Sequence, residues 1–323
     1  MAKKIGLVGI YFPGAYDALH ENVPEGFELV DALSPEAYGS LADCEYLISR
    51  LDIDPDIINH TPNVKFWQRW GAGFDHVDLK AWGERGIPIA TCPGVNSGIV
   101  AELAIMLMLA GYRNLLQINR QLRAGHWPRT EYFGRSFMIK GKTVGVLGLG
   151  HIGKKVAALA TAFGANVIYY DIVRQTEQEE QFGYRFVDFD TLLKESDIFT
   201  IHCPLNEETR GMIGAAQFAQ MKPTAMLINT ARGPIVDEAA LIDALTTGKI
   251  ATAGLDTYEH EPLPKDHPLL TLDNVVASAH AGGNTKDNDI NMVNYVYHNI
   301  VAFDRGEPLN TPGDIVNGEY LKK

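Results

Sequence analysis

Cysteine is scarce in this chain. Its three residues, Cys44, Cys92 and Cys203, lie far apart with no C-x-x-C pair, which excludes a disulfide framework and fits reduced thiols in a cytoplasmic setting. Basic residues are in deficit as well. Lys and Arg number 28 against 40 Asp and Glu, a net charge of −12, so general attraction to nucleic acid or to an anionic membrane is not expected. Single arginines can still hold an anionic substrate against that mean field. Long apolar runs are missing too: the longest, Leu103–Ala110, falls far short of the ~20 residues that cross a bilayer. The opening "MAKKIGLVGI" passes directly into a strand-like segment without a leader pattern. There is no repeat and no low-complexity stretch. No H-E-x-x-H or close His/Cys cluster points to a metal, and Ser97 lacks the G-x-S-x-G context of a hydrolase.

What the sequence does have is alternation. With 323 residues, 46% of them hydrophobic, it can bury the cores of two domains. Apolar, β-branched runs at 5–10, 45–49, 64–69, 87–91, 143–147, 166–170, 198–202, 225–229, 250–255 and 274–278 alternate with helical patterns such as 76–85, 151–163 and 236–246. Strand–helix alternation implies parallel sheets covered by helices on both faces. Ten strands exceed one comfortable sheet, so the expectation is two doubly wound α/β domains. Long helical patterns at 97–122 and 285–304 read as crossovers. Residues 1–97 with 285–323 would then form one discontinuous domain and 98–284 the other, with the ligand in the cleft between them.

The stretch "TVGVLGLGHIG" takes an apolar strand into Gly148-x-Gly150-x-x-Gly153 and then a helical pattern, "KKVAALATAFG". The first glycine permits a tight turn, the second lets a pyrophosphate approach backbone N–H groups, and the third lets helix and strand pack closely. The next strand ends on Asp171, 18 residues beyond Gly153 (171 against 153), where an acid accepts hydrogen bonds from the ribose hydroxyls and repels a 2′-phosphate. A dinucleotide is expected, NAD rather than NADP, with Arg174 in solvent. The N-terminal "GLVGIYFPG" has a similar turn without the glycine spacing.

Three further stretches follow strand ends: "MLINTARGPIVDE", "AGLDTYEHEPLP" and "NVVASAHAGGNT". With "GAGFDHVDL" and "HCPLNEETRGMI" in the same order, the chain resembles the D-isomer-specific 2-hydroxyacid dehydrogenase family over nearly its whole length. The resemblance implies a flavodoxin-like substrate domain and a Rossmann NAD-binding domain. By the family's pattern Arg232 is the arginine, Glu261 the acid and His280 the imidazole of the catalytic set. A 2-oxo acid gains hydride from the nicotinamide and a proton from His280; Glu261 favours the protonated ring, and Arg232 holds the substrate carboxylate. Cofactor contacts are implied for Gly148, Gly150, His151, Ile152, Gly153, Asp171, Cys203, Pro204, Thr230, Ala231, Arg232, Asp256, His280 and Gly282. The family's usual proline before the histidine is Ala279 here.

The resemblance places the substrate carboxylate at Ala72 and Gly73. Arg50 and Arg69 resemble phosphate-binding arginines of the phosphoglycerate dehydrogenase branch, so 3-phosphoglycerate or hydroxypyruvate is one expectation; as ion-pair or surface residues they would leave D-lactate or an aromatic acid open. A corepressor that senses NAD is a further alternative. Apolar residues on more than one face of 97–122 and the aromatics and arginines of the next segment, "AGHWPRTEYFGRSF", suggest a homodimer through residues 98–140, as the family commonly forms.

Overall fold

The computed structural model describes residues 2–50, 53–75 and 77–321. Its contacts divide the chain into two compact units, residues 1–96 with 284–323 and residues 97–283.

In the first unit, β1 (Lys3–Gly9), β2 (Phe27–Ala32), β3 (Tyr46–Arg50), β4 (Phe66–Arg69) and β5 (Ile89–Ala90) form a parallel sheet in the order β2-β1-β3-β4-β5, the flavodoxin-like arrangement. Ile5, Leu7, Leu47 and Ile48 of the inner strands are wholly buried. A strand covered on both faces has no polar side to show, so it reads as a continuous apolar run. The helix Lys286–Arg305 returns to this unit, and its Val293, Val296, Tyr297 and Ile300 enter the same core as Ile5, Leu7 and Phe66. It stops at Gly306, whose φ of 69° is readily reached only without a Cβ. The tail then adds an antiparallel bridge, Ile315 to Ala90. The Asn317 side chain accepts from the Ile89 N–H and donates to the Ile87 carbonyl. Buried Asp314 accepts from the Tyr295 hydroxyl and the Asn299 amide.

In the second unit, β6 (Thr143–Leu147), β7 (Asn166–Tyr170), β8 (Arg185–Phe186), β9 (Ile198–Ile201), β10 (Met226–Asn229), β11 (Thr252–Leu255) and β12 (Val275–Ala277) form a parallel sheet in the order β12-β11-β10-β9-β6-β7-β8. Helix Ser97–Tyr112 covers one face, where Ala104, Leu107 and Met108 share a core with Val144, Ile198 and Ile228. On the other face Phe199 and Leu227 pack with Ile213 and Leu241. The strand order reverses between β6 and β9, which fixes the crevice at their carboxyl ends.

Every strand expected from the sequence is present. Two more, β2 and β8, were not expected, and both are sheet edges. The pattern at 97–122 is not one helix: Ser97–Tyr112 and Leu115–Arg123 meet at 62°. Asn114 sits between them at φ 50°, a left-handed conformation that Asn tolerates, and its side-chain amide holds the bend by donating to the Arg135 carbonyl and to the Ser136 hydroxyl. The 76–85 pattern is helical over Leu79–Glu84, capped by the Asp78 carboxylate on Ala81 N–H; His76 lies outside the described residues. No single helix among the described residues is long and apolar enough to cross a membrane; the bent pair meets that length and composition only together.

Candidate active site

The glycine turn stands where the second sheet reverses. Gly148, at φ 91°, lies against the end of β9: a Cβ there would be 2.7 Å from the Cys203 nitrogen. Gly153 lies as close to Gly148, whose carbonyl oxygen a Cβ would meet at 2.1 Å. Gly150 differs, since a Cβ there would meet nothing within 4 Å. It is the N-cap of the helix His151–Ala162 and offers no side-chain cap. The first N–H groups of that helix, at His151, Ile152 and Gly153, therefore lack intrahelical acceptors, and the space beside Gly150 is open. That is the surface a pyrophosphate requires. Asp171 ends β7 beside the turn, accepting from Leu149 N–H at 2.7 Å and from Val173 N–H at 3.1 Å. These residues fit a dinucleotide. Pro204 is exposed and Cys203 half-buried, and burial pushes the Cys203 thiol up to about 11, so it stays protonated.

Arg232, Glu261 and His280 come from the carboxyl ends of β10, β11 and β12. His280 Nδ1 lies 2.7 Å from Glu261 Oε2. The hydrogen bond to Glu261 raises the His280 pKa above its ordinary value; burial and the Arg232 charge oppose it. Burial raises the Glu261 pKa, but the bond to His280 and the Tyr258 N–H outweigh it, so the carboxyl lies below its usual range. Both side chains retain solvent access, 50% and 34%.

Neighbouring groups hold this geometry. His280 has φ 48°, strained for a residue with a Cβ. Its N–H donates to the Asp256 carbonyl at 2.8 Å, and the Asp256 carboxylate accepts from Ser278 Oγ, Ala281 N–H and Gly282 N–H. Asp256 is 2% exposed and thus anchors the loop that carries the imidazole. Tyr258 gives its N–H to Glu261 Oε1 and its hydroxyl to the Ser278 carbonyl. Asn229 accepts from Ala231 N–H and donates to the Arg232 carbonyl, and Arg232 donates to the Ala231 carbonyl. Thr230 is buried with its hydroxyl unsatisfied. Asn229, Tyr258 and Ser278 were not singled out in the sequence; their only signal was position, at or just after strand ends beside Arg232, Glu261 and His280.

In the first unit, Arg50 and Arg69 end the adjacent strands β3 and β4, and are 7% and 8% exposed. Arg50 donates to the Ile10 carbonyl and to Asn284 Oδ1 and stacks over Phe12 at 4.0 Å. Burial lowers its pKa. Arg69 donates to Ser49 Oγ. Ala72 and Gly73 lie in the loop just after β4, Ala72 exposed. Among the described residues, no group of three or more His, Cys, Asp and Glu is placed to hold a metal.

A reversal-point glycine turn with an acid on the following strand, and a protonatable imidazole on the same sheet, define the class: an oxidoreductase that uses a nicotinamide dinucleotide. Comparison with known proteins narrows it. The model for "D-isomer specific 2-hydroxyacid dehydrogenase, NAD binding domain" matches residues 105–282. D-3-phosphoglycerate dehydrogenase of Archaeoglobus fulgidus is 42% identical over 261 residues, 81% of this chain but 49% of that protein, so the chain spans about half its length. Glyoxylate reductase of Aeropyrum pernix is 36% identical over 322 residues, 96% of this chain and 95% of that one. The crystal structure of D-lactate dehydrogenase with NAD+ from Lactobacillus jensenii superposes with a TM-score of 0.81 at 30% identity, covering 97% of this chain and 99% of that chain. The chain belongs to the D-isomer-specific 2-hydroxyacid dehydrogenase family, NAD-dependent oxidoreductases that act on a CH–OH group and interconvert 2-oxo acids and D-2-hydroxy acids.

Proposed function

We propose that this protein reduces short polar 2-oxo acids of the glyoxylate and hydroxypyruvate kind, with NADH as reductant and His280 as proton carrier. The observation that carries the reading is the 2.7 Å contact between His280 Nδ1 and Glu261 Oε2. It commits Nδ1–H to the carboxylate and leaves Nε2 as the atom that exchanges a proton. In reduction, the Nε2 proton passes to the carbonyl oxygen as that oxygen gains electrons; in oxidation, Nε2 takes it back from the hydroxyl. Arg232 binds the substrate carboxylate and stabilises the negative charge that develops on the carbonyl oxygen. When bound, the reduced nicotinamide supplies the hydride. The turn Gly148–Gly153, Asp171, Cys203, Pro204, Thr230 and Ala231 would hold the dinucleotide, and Ala72 and Gly73 the acid's carboxylate. Asp171 would accept from the ribose hydroxyls and set NAD above NADP.

The test is a panel of 2-oxo acids, including glyoxylate, hydroxypyruvate, phosphohydroxypyruvate, pyruvate and phenylpyruvate, followed by loss of NADH absorbance. No turnover on any of them would sink the reading and favour an NAD-sensing role. The pairing of Arg50 and Arg69 at adjacent strand ends supports a second reading, a phosphorylated substrate; its sign would be phosphohydroxypyruvate outrunning the others.

We further infer a homodimer through residues 98–140. Trp127, Phe133 and Met138 are 80%, 78% and 68% exposed, a density of large apolar side chains that a lone surface rarely carries. A monomeric mass by light scattering at micromolar concentration would defeat this. The three free thiols suit a reducing, cytoplasmic setting, and recovery of the native protein outside the cytoplasm in cell fractionation would contradict it.

A further inference from the structure

Just beyond Asp171 in the sequence lies a cation that could welcome a 2′-phosphate. Arg174 is the sole Lys or Arg between Lys155 and Arg185, and it leaves the same strand end as the acid. An arginine in this neighbourhood is what a Rossmann domain uses to accept NADP. Here it is engaged elsewhere. Arg174 Nε donates to Glu179 Oε1 at 2.9 Å and its terminal nitrogen to Oε2 at 2.7 Å, a two-point fork. Its guanidinium also lies 5.5 Å from the Phe186 ring centroid.

An exposed ion pair is ordinarily worth little because both side chains wander. This one is anchored on the acid's side. The Tyr169 hydroxyl donates to Glu179 Oε1 at 2.7 Å and itself accepts from Gln175 N–H at 2.8 Å, while Tyr169 is wholly buried in the core beneath. The Glu179 side chain is 17% exposed where Arg174 is 59% exposed. The Arg174 and Tyr169 hydrogen bonds hold the Glu179 carboxyl down at about 2, so it stays ionised at any pH the enzyme meets.

We propose that Glu179 is a specificity-determining residue, which keeps NADP out by holding Arg174 away from the ribose. Discrimination then has two parts, the repulsion by Asp171 and the withholding of a cation by Glu179. The second part rests on the reading of Asp171 as the ribose acceptor.

The test uses the full chain and compares Glu179→Gln, Asp171→Ala, the double variant, and each with Arg174→Gln. Two readouts are taken: calorimetric Kd for 2′,5′-ADP against 5′-ADP, and kcat/KM for NADPH against NADH. Glu179→Gln alone should keep kcat/KM for NADH within about twofold, which also reports that it folds. In the Asp171→Ala background it should tighten 2′,5′-ADP about tenfold, the worth of one charge-assisted hydrogen bond, and raise kcat/KM for NADPH by a similar factor. Arg174→Gln should erase both gains. A gain that survives Arg174→Gln, or a change under twofold on releasing Glu179, overturns the proposal. Failure of the Asp171 reading looks different: wild type would already favour NADPH, or Asp171→Ala would not narrow the preference for NADH.

Discussion

Gly233 is the narrowest point of the proposed catalytic set. It follows Arg232, and a Cβ built on it would lie 1.9 Å from both the carbon and the oxygen of the Tyr258 carbonyl group and 2.5 Å from the Glu259 nitrogen. All three are backbone atoms, so no rotamer change can relieve the clash. Ordinary contact begins near 3.4 Å, and Gly233→Ala must therefore part the two backbones by about 1.5 Å at Tyr258, enough by the usual sensitivity of active sites to cost about 100-fold in rate. The displaced segments carry Arg232 on one side and Glu261 on the other, and Tyr258 also bonds Glu261 and the Ser278 carbonyl. Overpacking of this kind costs about 1–3 kcal/mol of stability, which leaves a folded protein. The expected outcome is kcat/KM for the best 2-oxo acid down about 100-fold, a modest fall in Tm, and a smaller loss of NADH affinity by fluorescence titration, because Thr230 and Ala231 of the displaced strand end are among the residues proposed to hold the dinucleotide while the Gly148–Gly153 turn lies on another loop. A folded variant with kcat/KM within threefold of wild type would refute the reasoning.

His280→Ala should retain NADH binding and lose turnover by at least 100-fold, since removal of a proton carrier costs about 10²–10⁴ in rate; near-native turnover at neutral pH would end its assignment. Glu261→Gln removes the main cause of the raised His280 pKa. Reduction needs the protonated ring and is lost as pH rises through that pKa, so the variant's pH–rate profile should fall off at lower pH than wild type, and an unmoved profile would contradict the pairing. Arg50→Ala and Arg69→Ala separate the two substrate readings: an arginine that binds a distal phosphate should raise KM for phosphohydroxypyruvate about tenfold more than for glyoxylate, whereas equal losses on both acids mark the side chains as structural.

The inner strands were legible because both of their faces are buried: Ile5 and Leu7 on one side of the first sheet with Val8 and Leu47 on the other, and Phe199 and Leu227 on one side of the second with Ile198 and Ile228 on the other. The two unread strands are edges. In β2 the exposed Glu28 and Asp31 interrupt the apolar run, and β8 is only the pair Arg185–Phe186, too short to carry a period. The break at Asn114 was hidden because the flanking residues keep a helical pattern on both sides and the cause, two bonds to Arg135 and Ser136, is distant in sequence. Motif order pointed to Arg232, Glu261 and His280. It could not reveal what sets their angles, because Asn229, Tyr258 and Ser278 act through backbone groups that no spacing rule marks. Ala279 in place of the family's proline is intelligible once Asp256 is seen to fix the His280 backbone from two directions.

The return of helix Lys286–Arg305 to the first unit has a consequence for the newborn chain. The second unit is drawn from one unbroken stretch and can close as soon as that stretch leaves the ribosome. The first unit cannot. Ile5, Leu7 and Phe66 wait for Val293, Val296 and Ile300 to cover them, and β5 gains its last neighbour only when Ile315 is made. Residues translated before the second unit are therefore among the last to be buried. Until helix Lys286–Arg305 is made, one face of the flavodoxin-like sheet lacks part of its cover, and exposed apolar surface of that kind is what makes a nascent chain prone to aggregate.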